Sequence, residues 1–71
     1  MDAGSKSEYL ELLENQLAGA VAELHYLEEY AVREIGRGGA YDSEAELSEA
    51  VQEVKSEIDK LESRINLVKN S

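Results

Sequence analysis

Two heptad-spaced runs of apolar residues constrain this chain more than anything else in it. Leu10, Leu13, Leu17, Ala20, Leu24, Leu27 and Ala31 follow a 3-4-3-4-3-4 spacing, and Leu47, Val51, Val54, Ile58, Leu61, Ile65 and Val68 follow 4-3-4-3-4-3. Such spacing keeps the apolar side chains on one narrow face of a helix, and a facing helix is what buries that face. Between the runs lies Gly36-Arg37-Gly38-Gly39, and glycine ends helices cheaply because it enters the left-handed backbone region. Ser43-Glu44-Ala45-Glu46 has the S-x-x-E form of a capping box, so Ser43 is expected to start the second helix. Ser5-Lys6-Ser7-Glu8 offers the same form for the first. The sequence predicts one all-α domain over residues 1–71, a two-helix antiparallel coiled-coil hairpin. Its helices are expected at about 6–35 and 43–70, with a flexible N-terminus at 1–5 and a turn at 36–42.

The direction of the second helix follows from the seams. Folding the chain back at the glycines pairs positions whose numbers sum to 78, and every seam residue then meets a seam partner, from Ala31 with Leu47 to Leu10 with Val68. With Leu10 as a and Leu61 as d, each pair sets an a residue against a d residue, as antiparallel helices require. On one flank Glu14 is expected near Lys69 and Glu28 near Lys55, exposed pairs that bias register more than they stabilise.

Composition narrows the function. Seventy-one residues with a net charge of −9 disfavour binding to nucleic acid or to an anionic membrane, since both need clustered positive charge. Cysteine is absent, which removes disulfides and thiolate zinc sites. No apolar run reaches the length of a membrane span and Met1 to Glu8 carry no signal-peptide core, so a soluble, cytoplasmic protein is expected. His25 is the single histidine, with Glu28 and Glu29 one turn later. Two or three ligands on an open surface make a weak metal site, and the repeated E-x-x-H motifs of di-iron bundles are missing. The glycine-rich break lacks the lysine-serine/threonine ending of a phosphate loop. No catalytic residue, metal site or cofactor is expected, and the chain does not read as an enzyme.

The two helices differ in what one seam leaves over. The second confines its apolar residues to one arc, with Leu67 clearly outside it. The first keeps Leu12, Tyr26 and Tyr30 on another stripe, joined to the seam through Tyr9 and Leu27. Tyrosine suits protein interfaces because it combines a large apolar ring with a polar tip. Tyr9, Leu12, Tyr26 and Tyr30 are therefore the candidate partner-binding residues; the other reading is that these rings drape the hairpin's edge. Chains this short bury little on their own, so self-association or a protein partner is expected. Gly19, between Ala18 and Ala20, either admits a close partner helix or is merely tolerated.

Two strings carry a family resemblance: Arg37-Gly38-Gly39 after the first helix, and Leu61-Glu62-Ser63-Arg64-Ile65-Asn66-Leu67-Val68 near the C-terminus. The chain resembles the small YscE-type co-chaperones of type III secretion needle subunits. That family consists of antiparallel helical hairpins of about this length, although the stretch between the two strings is one heptad longer here. The resemblance implies pairing with a tetratricopeptide-like chaperone, so that the two together keep a needle subunit soluble in the cytoplasm. Two other readings stand beside it. One is a homodimeric four-helix-bundle adaptor or scaffold; the other is an acidic regulator of a basic partner protein.

Overall fold

A computed structural model describes residues 3–70. Helix α1 spans Ala3–Glu29, a 3₁₀ turn spans Ala31–Glu34, and helix α2 spans Glu44–Lys69. α2 returns along α1 to make an antiparallel hairpin, and α1 is bent. The molecule is a rod of 51 × 15 × 13 Å.

The core is the double seam. Leu13, Ala20, Leu27, Ala31, Leu47, Val54, Leu61 and Ile65 are buried, while Leu10, Leu17, Leu24, Val51, Ile58 and Val68 pack half-buried against them. The pattern has a side. The d residues Leu13, Ala20 and Leu27 of α1, and Leu47, Val54 and Leu61 of α2, lie deep. The a residues Leu10, Leu17, Leu24, Val51 and Ile58 stay half-buried, whereas the a residues Ala31 and Ile65 are buried and the d residue Val68 is half-buried, so the inequality holds along the middle of the hairpin and fails near its ends. Tyr9 and Ala50, which precede a residues, pack against the core as well, so they close the d side of the hairpin. At the turn end, Ile35 and Tyr41 perform the same service.

Both ends of the first helix depart from the expected 6–35. α1 is already helical at Ala3, so Ser5 lies inside its first turns instead of capping it, and residues 3–5 are no separate N-terminal segment. Gly4 opposes a helix there by about 1 kcal/mol, but it lies at the very start of α1, and the stretch from Ala3 to Leu10 holds neither proline nor a β-branched residue. Met1 and Asp2, the remainder of the segment expected to be flexible, lie outside the described residues. At the other end the α-helix stops at Glu29. Tyr30 N–H still donates to the Tyr26 carbonyl at 2.9 Å, but Arg33 N–H donates to the Tyr30 carbonyl at 3.0 Å, three residues back. That closer bond tightens the chain into the 3₁₀ turn. Ala31 remains buried, so the seam outlasts the α-helix, and apolar spacing does not distinguish the two helix types.

The turn and the start of α2 follow their residues. Gly36 and Gly38 sit at φ of +75° and +85°, the left-handed region that costs other residues. Ser43 is extended, and its Oγ accepts the Glu46 N–H at 3.3 Å. Glu46 Oε2 accepts the N–H of Asp42 at 3.1 Å, one residue earlier than the return bond of a standard capping box. Glu44 and Glu46 in the first turn and Lys69 in the last suit the helix dipole. The flank pairs do not close. Neither Glu14 with Lys69 nor Glu28 with Lys55 comes within the 4.0 Å of an ion pair, as expected when solvent competes for long exposed side chains.

The pairing of Leu17 with Leu61 is directly testable. Cysteines at these two positions should form an intramolecular disulfide in dilute oxidising solution, given the short Cβ separations such a bond needs. Crosslinks found only between chains would show that the helices pair with another copy instead.

Candidate protein-interaction surface

The outward face of α1 and the residue that follows it carry three of the large exposed apolar side chains, whereas α2 carries one, Leu67. Leu12 is 53% exposed, Tyr26 51% and Tyr30 60%. Tyr26 and Tyr30 stand one turn apart, and their rings stack with centroids 6.2 Å apart and planes 19° from parallel. Stacked aromatic pairs favour this separation, so the two rings form one platform on the end of α1. Tyr9 behaves differently. It is half-buried and packed against the core, so it belongs to the hairpin first and offers only an edge to anything outside. The structure thus brings Tyr26 and Tyr30 together, leaves Leu12 on the same side of α1 several turns away, and assigns Tyr9 to the junction between core and stripe.

Gly19 lies between the two ends of the stripe. A Cβ built there would meet nothing within 4 Å, so no contact inside the hairpin requires glycine. Of its neighbours in sequence, Ala18 is exposed and Ala20 is buried in the core.

Two further apolar residues escaped the sequence reading. Val32, 43% exposed, and Val21, 38% exposed, stand apart from the stripe. Val32 borders an open groove of about 430 Å³ whose walls include Leu27, Leu47 and Val51, with Glu28 and Lys55 at its rim. A second groove of about 470 Å³ runs beside Gln16 along α2, where Glu53 and Glu57 accompany Lys60 and Arg64. It is charged and open. Neither groove collects the enclosed apolar walls and converging polar groups that characterise small-molecule sites.

His25 Nδ1 lies 3.9 Å from a carboxylate oxygen of Glu29, with both side chains well exposed at 70% and 62%. At that distance and exposure the contact orients nothing strongly. Among the described residues no group of three or more histidine, cysteine, aspartate or glutamate side chains is placed to hold a metal ion. No described helix is long and apolar enough to cross a membrane.

No family model matches the chain, and neither does any curated protein or solved structure.

Proposed function

We propose that this hairpin is a non-enzymatic protein-interaction module whose partner seats on the outer face of α1. The observation that carries the reading is the Tyr26–Tyr30 platform. Two stacked aromatic rings, each more than half exposed, add nothing to the seam, whereas rings of this kind are enriched where proteins meet. In its most specific form, supported by the resemblance of the Arg37-Gly38-Gly39 and Leu61–Val68 strings, the module is a cytoplasmic co-chaperone. It would pair with a tetratricopeptide-like chaperone to keep a type III secretion needle subunit soluble. The test is the double substitution Tyr26→Ala with Tyr30→Ala. Helicity by circular dichroism should be retained, while co-purification with such a chaperone should be lost. Unchanged co-purification would reduce the platform to a decorated edge, and lost helicity would place the rings in the hairpin's own core.

A second reading has its own observation. The half-open a residues Leu10, Leu17, Leu24, Val51 and Ile58 line one side of the hairpin, and two hairpins packing there would form a four-helix bundle. Sedimentation of the protein alone separates the two: a bundle dimerises without the tyrosines, whereas the module needs them for its partner.

A further inference from the structure

We infer that the occupant of the α1 face is a lysine- or arginine-bearing amphipathic helix of another protein; the inference rests on the interaction-module reading and specifies its partner. The first observation is geometric. Tyr9, Leu12, Gln16, Gly19, Glu23, Tyr26 and Tyr30 repeat the 3-4-3-4-3-4 spacing of the core seam on another side of α1. Only the ends of this stripe are apolar or aromatic, with Gln16, Gly19 and Glu23 between them, so it is a mixed face that leaves Leu12, Tyr26 and Tyr30 exposed and that α2 does not cover. Apolar or aromatic side chains occupy the two ends of this outer stripe, and its middle holds Gly19, with open space above it, between the polar side chains of Gln16 and Glu23. A helix laid along the stripe therefore contacts both ends and comes closest to the backbone at Gly19.

The second observation is charge. Between Ser7 and Val32 the chain contains Glu8, Glu11, Glu14, Glu23, Glu28 and Glu29, and neither lysine nor arginine. Glu23 lies within the outer stripe itself and Glu8 beside its first tyrosine; at about 100° per residue, Glu11 and Glu29 share the adjoining strip of helix. All four are exposed. Of the basic residues of α2, Lys60 and Arg64 share a groove with Gln16 at one border of this face, where Glu53 and Glu57 accompany them; the α1 residues of the face carry carboxylates and no lysine or arginine. A carboxylate in the middle of a helix–helix seam selects a cation opposite it, because leaving it unpaired in the contact costs its hydration. A second copy docking on this face about a two-fold axis would set the same carboxylates against themselves. The apolar ends supply contact and the acidic strip supplies the choice of partner.

The test uses the whole protein and two synthetic helical peptides. Spanning Tyr9 to Tyr30 takes about 22 residues at 1.5 Å each. Both peptides carry the same leucine seam, one flanked by lysines and the other by glutamates, and binding is followed by isothermal titration calorimetry, which reads the tyrosine variant as well as the parent. The lysine peptide should bind at least about tenfold more tightly than the glutamate peptide, with the gap shrinking at high salt as charges are screened. Tyr26→Ala with Tyr30→Ala should weaken the lysine peptide by about tenfold or more, as loss of central aromatic contacts does. Leu67→Ala, an exposed apolar change on α2, should not. Glu23→Lys should weaken the lysine peptide and improve the glutamate one. Equal affinity for both peptides, binding of neither, or insensitivity to the tyrosines or to Glu23 overturns the basic-helix assignment. Self-association that disappears with the tyrosines also overturns it and identifies a second copy as the occupant, while leaving the interaction module itself intact.

Discussion

Replacing Leu27 with alanine is expected to destabilise the hairpin by about 2–5 kcal/mol, the range for emptying a buried leucine site. Leu27 is 1% exposed and is the largest fully buried side chain of the described residues. Stability of roughly 0.05–0.15 kcal/mol per residue gives a chain of 71 residues only a small margin. The expected loss is therefore a large share of the total. At roughly 4–8 °C per kcal/mol for a chain of this size, the thermal midpoint should fall by about 10 °C or more. Leu67→Ala removes the same atoms from a side chain that is 72% exposed and should change stability by no more than about 0.5 kcal/mol. Thermal melts followed by circular dichroism compare the two. Equal shifts would mean that the double seam is not what holds the helices together.

That contrast was legible in the sequence because a heptad seam states both which face is buried and which residues lie off it. Leu27 falls on the seam and Leu67 falls outside it, and the structure buries the one and exposes the other. The start of α2 at Ser43 was legible for the same kind of reason: a side-chain oxygen three residues ahead of a free N–H is a local arrangement that a short string encodes. The change from α-helix to 3₁₀ turn after Glu29 was not. Ala31 satisfies the seam in either geometry, and the choice rests on whether Arg33 N–H reaches the Tyr30 carbonyl. The unequal depth of a and d residues was also hidden. It depends on Tyr9 and Ala50 closing one side, and periodicity treats both sides alike. Of the interaction surface, the stripe was legible as surplus apolar residues on α1. The stacking of Tyr26 on Tyr30 and the burial of Tyr9 needed side-chain positions.

The glycines make the sharpest separation between these two kinds of information, because the same substitution is expected to have opposite signs within one chain. Gly38 has φ of +85°, where an L-residue costs roughly 1–2 kcal/mol. At Gly39 the obstacle is space: a Cβ there would lie 2.7 Å from Glu34 Cβ and 3.0 Å from the Glu34 carbonyl oxygen. Neither atom is the end of a flexible side chain, so the 3₁₀ turn itself must shift. Gly38→Ala with Gly39→Ala should therefore cost about 2–4 kcal/mol, treated as a joint effect since neighbouring sites do not add independently. Extending α1 through the turn offers no escape from that cost. Seven-residue steps from Ala31 reach Ala45, whereas the a residues of α2 include Glu44 and Val51. One continuous helix would then rotate the second seam by about 100° relative to the first. Gly19→Ala, in open space within α1, should instead stabilise by about 0.5–1 kcal/mol, because mid-helix glycine loses more backbone freedom on folding than alanine does. Denaturant melts of the two variants should move in opposite directions from the parent. If Gly19→Ala raises stability yet weakens binding of the lysine peptide, that glycine is explained by close approach of a partner helix. If the turn variant melts with the parent, Glu34 and Gly39 are not held in the contact that closes the hairpin.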